Sequence, residues 1–317
     1  MKHSGREKKK EKNKMRGQRL KVNHFFSRIL NAFERALFPA RCMVCGSFFH
    51  SNLSRSVCLP EKKIKDKKSL AFDYMQDSHE KRVVSCLNGV YKFDRLFSPY
   101  LCSACLARYA PVESPICVRC GIMFKSREGD DHFCGDCIKE PKEFKIARAP
   151  GIYDRTLKKA IHCFKYRGKI QMARPFGMLL FAAFIRFWDI KNIDLIVPVP
   201  LHLKRLKARG FNQAYLLVKN WKKLAASSGM EASDITVDRN VLVRSRWTEP
   251  QTGLGRKKRM KNIKNAFKVN DCSRIAGGRI LLIDDVLTTG ATVNECAKTL
   301  ISDGAKRVDV LTLARAM

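Results

Sequence analysis

The sequence is short of acid. Its 317 residues hold 29 Asp and Glu against 63 Lys and Arg, a formal charge of +34. So large a deficit favours polyanions such as nucleic acid or anionic membrane as neighbours, and by itself names none of them. Long apolar runs are scarce too. The longest, Pro175 to Ile185, falls short of the ~20 residues a bilayer span needs. The apolar segment behind the basic start is broken by Arg28, Glu34 and Arg35 and has no small-residue cleavage site, so no secretory leader is predicted. These absences predict a soluble, cytosolic protein with no membrane span.

What is present is distributed unevenly. Residues 1 to 22 carry ten Lys or Arg and two Glu, +8 of the total, which leaves +26 on the rest of the chain. This arm has no glycine-rich or aromatic pattern and reads as a solvated basic tail, available for non-specific phosphate contact. Residues 24 to 38 place Phe26, Leu30, Phe33 and Leu37 on one helical face, suited to packing on the protein's own core or to an anionic membrane surface.

Thirteen cysteines are an odd number, and eight of them fall in Cys-x-x-Cys pairs: Cys42/Cys45, Cys102/Cys105, Cys117/Cys120 and Cys134/Cys137. In a cytosolic chain that spacing points to metal rather than disulfides. Two intervening residues let both thiolates grip one ion, and a second pair completes a closed tetrahedral Zn²⁺ site. Glycine follows the first and third pairs, which marks an internal repeat. Sequential joining puts Cys42, Cys45, Cys102 and Cys105 on one ion and Cys117, Cys120, Cys134 and Cys137 on another, one or two structural ions in all; spacing leaves crossed pairing open. The second quartet has 13 residues between its pairs and the first has 56. Cys58 and Cys86 fall in that longer gap. Cys163, Cys272 and Cys296 stand alone and read as small hydrophobes.

The stretch Ile280 to Thr292 reads ILLIDDVLTTGAT. Four consecutive aliphatics predict a strand covered on both faces. A strand that stops at Asp284 and Asp285 places two carboxylates at its carboxyl end, where open α/β sheets bind ligands. Val286 leads on to Thr288-Thr289-Gly290-Ala291-Thr292; Val293, Cys296, Ala297 and Leu300 then recur at helical spacing. A small-residue loop opening a helix is a ready anion site. Beside it, acids suit sugar hydroxyls or a Mg²⁺ ion, so the implied ligand is a sugar phosphate.

From Phe144 onward strands and helices alternate, the mark of a parallel sheet flanked by helices. The predicted strands are Ala149 to Tyr153, Ile193 to Val199, Arg279 to Asp285 and Arg307 to Leu313. The second ends in Pro198-Val199-Pro200, and proline cannot continue a central ladder. Lys204 to Arg209 and Arg256 to Lys268 form basic runs, suited to a diphosphate leaving group, to DNA or to solvent.

The segment from Leu281 to Thr292 resembles the phosphoribosyl-pyrophosphate (PRPP) signature of type I phosphoribosyltransferases. Residues 195 to 214, 248 to 267 and 162 to 168, with the cysteine pairs upstream, extend the likeness over about residues 38 to 317. Together they resemble the ComF family, associated with DNA uptake in natural competence and including GntX-like proteins. The resemblance implies three parts. Residues 1–37 are a basic arm and amphipathic helix. Residues 38–143 are a double zinc ribbon, with a Lys-rich insertion at about 50–97 where the family has a shorter gap. Residues 144–317 are an α/β phosphoribosyltransferase domain. It implies PRPP and Mg²⁺ as ligands and a nitrogen acceptor, with Asp284 and Asp285 on the ribose hydroxyls and Thr288, Thr289, Gly290 and Thr292 on the 5′-phosphate. Pro198 to Pro200 face pyrophosphate, and Gly253 to Asn265 correspond to a mobile loop. Arg209, Asn212, Gln213, Lys165 and Arg259 match the family's pattern as substrate or pyrophosphate contacts. The competing reading is a single-stranded DNA-binding protein that keeps the pocket as sensor or relic, with Phe211 or Trp247 as stacking platforms and DNA-uptake proteins as partners.

Overall fold

The structure, a computed structural model, describes residues 39–50, 92–248 and 255–317. The expected helix at 24 to 38, Cys58, Cys86, Pro250, Gln251 and Gly253 lie outside the described residues. In chain order the elements are β1 (Ala40–Arg41), β2 (Phe48–Phe49), α1 (Phe93–Phe97), α2 (Ser103–Leu106), α3 (Gly135–Lys139), β3 (Ala147–Arg148), β4 (Gly151–Ile152), α4 (Arg155–Tyr166) and α5 (Ala173–Phe187). There follow β5 (Leu195–Pro198), α6 (Leu203–Arg209), α7 (Gln213–Val218), α8 (Trp221–Ser227), β6 (Leu242–Arg244), α9 (Arg256–Ile263), β7 (Phe267–Val269), β8 (Arg279–Leu287), α10 (Ala291–Ser302) and β9 (Arg307–Arg315).

The core is a parallel sheet in the order β3-β9-β8-β5, with β4 also on β9. Its strands alternate sides as a pleated chain must. Leu281, Ile283, Leu311 and Leu313 join the α5 and α7 side chains in one buried cluster. Ile280, Leu282, Val308 and Val310 join Val293, Cys296, Ala297 and Leu300 of α10 in a second. Both faces are therefore covered, as four successive aliphatics require. Full burial of a Val or Leu contributes about 1.5–3 kcal/mol, so the α10 stripe anchors the helix that follows the Asp-Asp strand. The stretch Ile170–Phe187 has the length and mean hydropathy, 1.2, of a bilayer span, but 61% of it is buried. Its apolar residues from Met172 onward pack into the protein's own core.

All four predicted strands differ in their bounds from the sequence expectation, β9 by running on to Arg315. β8 does not stop at the aspartates; it runs to Leu287, because β9 goes on pairing with it through Asp284↔Thr312 and Leu287↔Arg315. β5 ends with Pro198 opposite Ile283, so β8 overhangs its neighbour on that side. The strand expected at Ala149 to Tyr153 is two pieces on β9, interrupted at Pro150, which has no N–H to give to a ladder. β5 also begins at Leu195 rather than Ile193, where a 3₁₀ turn capped by Asp189 intervenes.

The cysteine-rich part is built onto this domain. α1 falls at the end of the Lys-rich segment, and its Phe93, Leu96 and Phe97 are buried against α5. The Thr156 hydroxyl at the start of α4 donates to the Cys105 carbonyl at 2.7 Å, and Cys163 Sγ to the Met43 carbonyl at 3.1 Å. The Ala147 amide donates to the Arg119 carbonyl at 2.6 Å.

Candidate phosphoribosyl site and metal centres

The β8 overhang, the turn after β5 and the N-terminus of α10 enclose a cavity of about 960 Å³. Asp284, Asp285, Val286, Thr288, Gly290, Ala291 and Thr292 line one side, and Val199 and Pro200 another. Lys165 and Tyr166 at the end of α4, and Arg209, Asn212 and Gln213 around the α6–α7 junction, complete the wall. The topology thus brings Lys165 and Thr292, 127 positions apart in sequence, to one cavity. Pro198 and Thr289 are not among its lining. Pro198 is locked in the sheet opposite Ile283, and Thr289 faces a smaller cleft behind the loop. Arg259 falls on α9, with its side chain outside the described residues.

Gly290 holds φ at +79°, a left-handed turn that favours glycine. This bend lets a strand end pass into a helix within three residues, and the first α10 amide, Ala291, meets the Thr289 hydroxyl at 3.4 Å. Asn212 caps α7 by accepting from the Tyr215 amide, while its own amide donates to the Val199 carbonyl at 3.1 Å. That one side chain ties the Val-Pro turn to the opposite wall. Gln213 is buried; its Oε1 accepts from Arg209 at 2.9 Å, and its Nε2 donor has no acceptor among the described residues.

The electrostatics centre on the two acids. Lys165 Nζ lies 2.6 Å from Asp285 Oδ1. Burial opposes the charge on Lys165, yet its pKa is raised, because Asp285 answers it at contact. Asp284 shares in this less. Burial first, and then the negative charge of Asp285, push its carboxyl up to about 7. A crowded carboxylate pair with one cation between two acids is a hard-oxygen donor set that a divalent ion would relieve, which fits Mg²⁺ held by carboxylates and substrate phosphates.

Sequence reasoning missed part of the wall. Tyr153, Lys158 and Arg244 also line the cavity, beside Arg205 of the basic run expected there. Arg244 sits on β6, in a separate two-stranded sheet with β7. It is buried, bonded to the Thr248 hydroxyl, with its Nε unpartnered among the described residues. Burial first, then the nearby Arg205 charge, lower its pKa to about 10. A lone arginine in a β-run carries no periodic signal, and only the fold delivers it here.

The eight paired cysteines form two clusters, Cys42, Cys45, Cys102 and Cys105, and Cys117, Cys120, Cys134 and Cys137. Sequential pairing is therefore the arrangement the fold brings together. Within each, the sulfurs all lie within 4.8 Å of one another, and Cys45 to Cys102 and Cys120 to Cys134 are each 3.7 Å apart. Tetrahedral Zn–S bonds of about 2.3 Å imply an S···S edge of about 3.8 Å, so both tetrads fit zinc. Gly46 and Gly121 adopt φ of +81° and +63° directly after their knuckles, the turns their positions anticipate. The Cys120 and Cys134 amides donate to Cys117 Sγ at 3.5 and 3.3 Å, as suits a thiolate ligand.

Comparison with known proteins agrees with this geometry. The family model described as "Phosphoribosyl transferase domain" matches residues 231–317, which include β8, its acids and α10. Competence protein F of Haemophilus influenzae is 32% identical over 220 residues, 68% of this chain and 90% of that protein. DNA utilization protein YhgH of Escherichia coli K12 is 29% identical over 221 residues, 68% and 91%. Competence protein ComFC of Bacillus subtilis is 27% identical over 229 residues, 68% and 84%. With its phosphoribosyltransferase-type sheet edge, two cysteine tetrads upstream and relatives matched along nearly their whole length, this chain belongs to the ComF family.

Proposed function

We propose that the protein binds PRPP together with Mg²⁺ in the 960 Å³ cavity and transfers the phosphoribosyl group to a nitrogen acceptor, releasing pyrophosphate. The observation that carries this is the convergence on one hollow of the Asp284–Asp285 pair, the Gly290–Thr292 helix start and the cations Lys165, Arg205, Arg209 and Arg244. Asp284 and Asp285 accept from the ribose hydroxyls, and the hydroxyls of Thr288 and Thr292 with the amides from Gly290 to Thr292 take the 5′-phosphate at the positive end of α10. Val199 and Pro200 flank the diphosphate. Mg²⁺, when bound, supplies charge neutralisation on the diphosphate.

In the reaction the acceptor's nitrogen lone pair forms a bond to the anomeric carbon. The C–O bond to pyrophosphate breaks, and its electron pair leaves on oxygen. Arg205 and Arg244 lower the energy of that developing charge from fixed positions, where little reorganisation is needed. Lys165 holds Asp285 in place for the sugar. Catalysis on this reading is positioning and charge stabilisation without a covalent intermediate. On this reading the protein works in the cytoplasm on DNA handled in competence, in keeping with relatives named for competence and for DNA utilization.

Calorimetric titration of the full chain with PRPP and Mg²⁺ tests the pocket: wild type binds, and Asp284→Asn combined with Asp285→Asn does not. A wild type that ignores PRPP overturns the reading. A pyrophosphate-release assay across bases and amines then tests transfer. A second reading is a site for single-stranded DNA, favoured by Trp247. This ring is 39% exposed at the cavity wall, with Lys204 and Arg205 at 5.5 and 5.3 Å from its centroid. An exposed indole flanked by cations suits a stacked base and its phosphates. DNA affinity that falls steeply with salt and ignores the Asp substitutions would favour it.

A further inference from the structure

Arg315 closes β9 and is 7% exposed, a buried cation in the wall between the second cysteine tetrad and the loop after β8. Its Nε donates to the Cys120 carbonyl at 3.0 Å, and its Nη2 to Cys120 Sγ at 3.6 Å. Its Nη1 donates to the carbonyls of Leu287 at 3.0 Å, Thr288 at 2.7 Å and Ala316 at 2.6 Å. One planar fork therefore holds a metal-ligand knuckle with one edge and the start of the phosphate loop with the other. Arginine alone has the rigid donor set for that task. Between them lies a cleft of about 40 Å³ lined by Cys120, Cys134 and Cys137 on one side and Thr288, Thr289 and Gly290 on the other.

Charge explains why this arrangement depends on metal. Among the described residues Arg315 forms no salt bridge with a carboxylate, and a buried cation needs a counter-charge. Four thiolates around one Zn²⁺ carry a net charge of about −2, and one of those sulfurs accepts from Arg315. The thiolates stay together only while a cation neutralises them. Loss of the ion leaves like charges that drive the sulfurs apart, and Arg315 then loses the fixed anionic cluster that holds it between Cys120 and Thr288.

We infer that Arg315 is a positioning residue that makes the second tetrad part of the phosphate loop, so that metal in Cys117, Cys120, Cys134 and Cys137 sets the cavity's affinity for PRPP. The affinity part rests on the PRPP reading above; the mechanical link between tetrad and loop does not. The tetrad is then more than a staple for the ribbon, because its occupancy tunes the loop that grips the ligand.

The test uses the full zinc-loaded chain, with Arg315→Gln and Arg315→Lys beside wild type. Three quantities are read: hydrogen exchange of the amides from Leu287 to Val293, the rate of zinc release to a chelator, and the dissociation constant for PRPP with Mg²⁺. Outer-shell partners of a metal ligand typically alter affinity by roughly tenfold to a hundredfold. Arg315→Gln is expected to speed exchange in that segment, to release one zinc ion faster by a factor in that range, and to weaken PRPP by roughly tenfold, with Arg315→Lys between. Partial zinc removal from wild type should raise exchange in the same segment. Loop exchange unchanged by both Arg315→Gln and zinc removal overturns the inference. If wild type fails to bind PRPP, the phosphoribosyl reading falls, while exchange and zinc release still decide the link. If Arg315→Gln does not fold, Arg315→Lys carries the same three readouts.

Discussion

Lys165 Nζ and Asp285 Oδ1 meet at 2.6 Å, with 18% and 11% of their side chains exposed, across 120 residues of sequence. The pair joins the end of α4 to the overhang of β8, so it fixes one wall of the cavity to the other. Removing one partner leaves a buried charge uncompensated. Lys165→Met is expected to destabilise the fold by about 3–5 kcal/mol in denaturant unfolding. Lys165→Met combined with Asp285→Asn should recover part of that loss. A single mutant within about 0.5 kcal/mol of wild type would show the pair to be solvated.

Asp284, pushed up to about 7, makes the cavity sensitive to pH. Its folded pKa lies above the ordinary aspartate value of about 3.9. Between about pH 4 and 7 the native state therefore holds a proton that the unfolded chain has lost, and stability falls by up to about 1.4 kcal/mol per pH unit as pH rises. Asp284→Asn should gain on wild type across that window and match it more closely at pH 4. Ligand binding runs the other way, because an ionised carboxylate is the better acceptor for ribose hydroxyls. The ionised fraction of a group with pKa near 7 rises about tenfold from pH 6 to 8, and PRPP affinity should follow in wild type more than in Asp284→Asn.

Metal removal gives a count as well as a stability. Elemental analysis of the full chain should find two zinc ions, and Cys117→Ser should hold one. Cys117 is fully buried among residues that also pack the sheet. Its loss should lower the thermal midpoint by at least about 5 °C. One zinc ion in the wild type would contradict the geometric equivalence of the two tetrads.

Trp247 separates the two readings of the cavity wall. Trp247→Ala should weaken single-stranded DNA by about 1–3 kcal/mol if a base stacks there, in fluorescence anisotropy at fixed salt. The same change should leave PRPP affinity within about threefold, since the indole packs on His202, Lys204 and Arg205. Equal loss of both ligands would assign Trp247 to the shape of the pocket.

The parts of the fold that were legible in the sequence share a cause: local periodicity. Val293, Cys296, Ala297 and Leu300 announce α10 by spacing, and the aliphatics from Ile280 to Ile283 announce a strand buried on both sides. The cysteine spacing announces knuckles, although grouping them into tetrads needed coordinates. What stayed hidden depends on pairing between distant segments. β8 continues past Asp285 because β9 accompanies it, which no window around residue 285 reveals. Arg244 and Arg315 are single cations whose meaning comes from neighbours 40 to 195 positions away. Phe93, Leu96 and Phe97 looked like the tail of a polar insertion until α5 supplied their other half.

The prolines of β5 have a further consequence. Val199 gives its amide to Ile283, while Ile196 gives its amide outward to Thr236, so from Leu195 onward the even-numbered residues face away from β8. Pro198 and Pro200 occupy that outward parity and have no hydrogen to offer. The rim of the sheet beside the cavity is thereby stripped of donors where a foreign strand would otherwise zip on. A protein that must keep an open crevice at a sheet margin has, in two imino acids, a guard against sticking to its own copies.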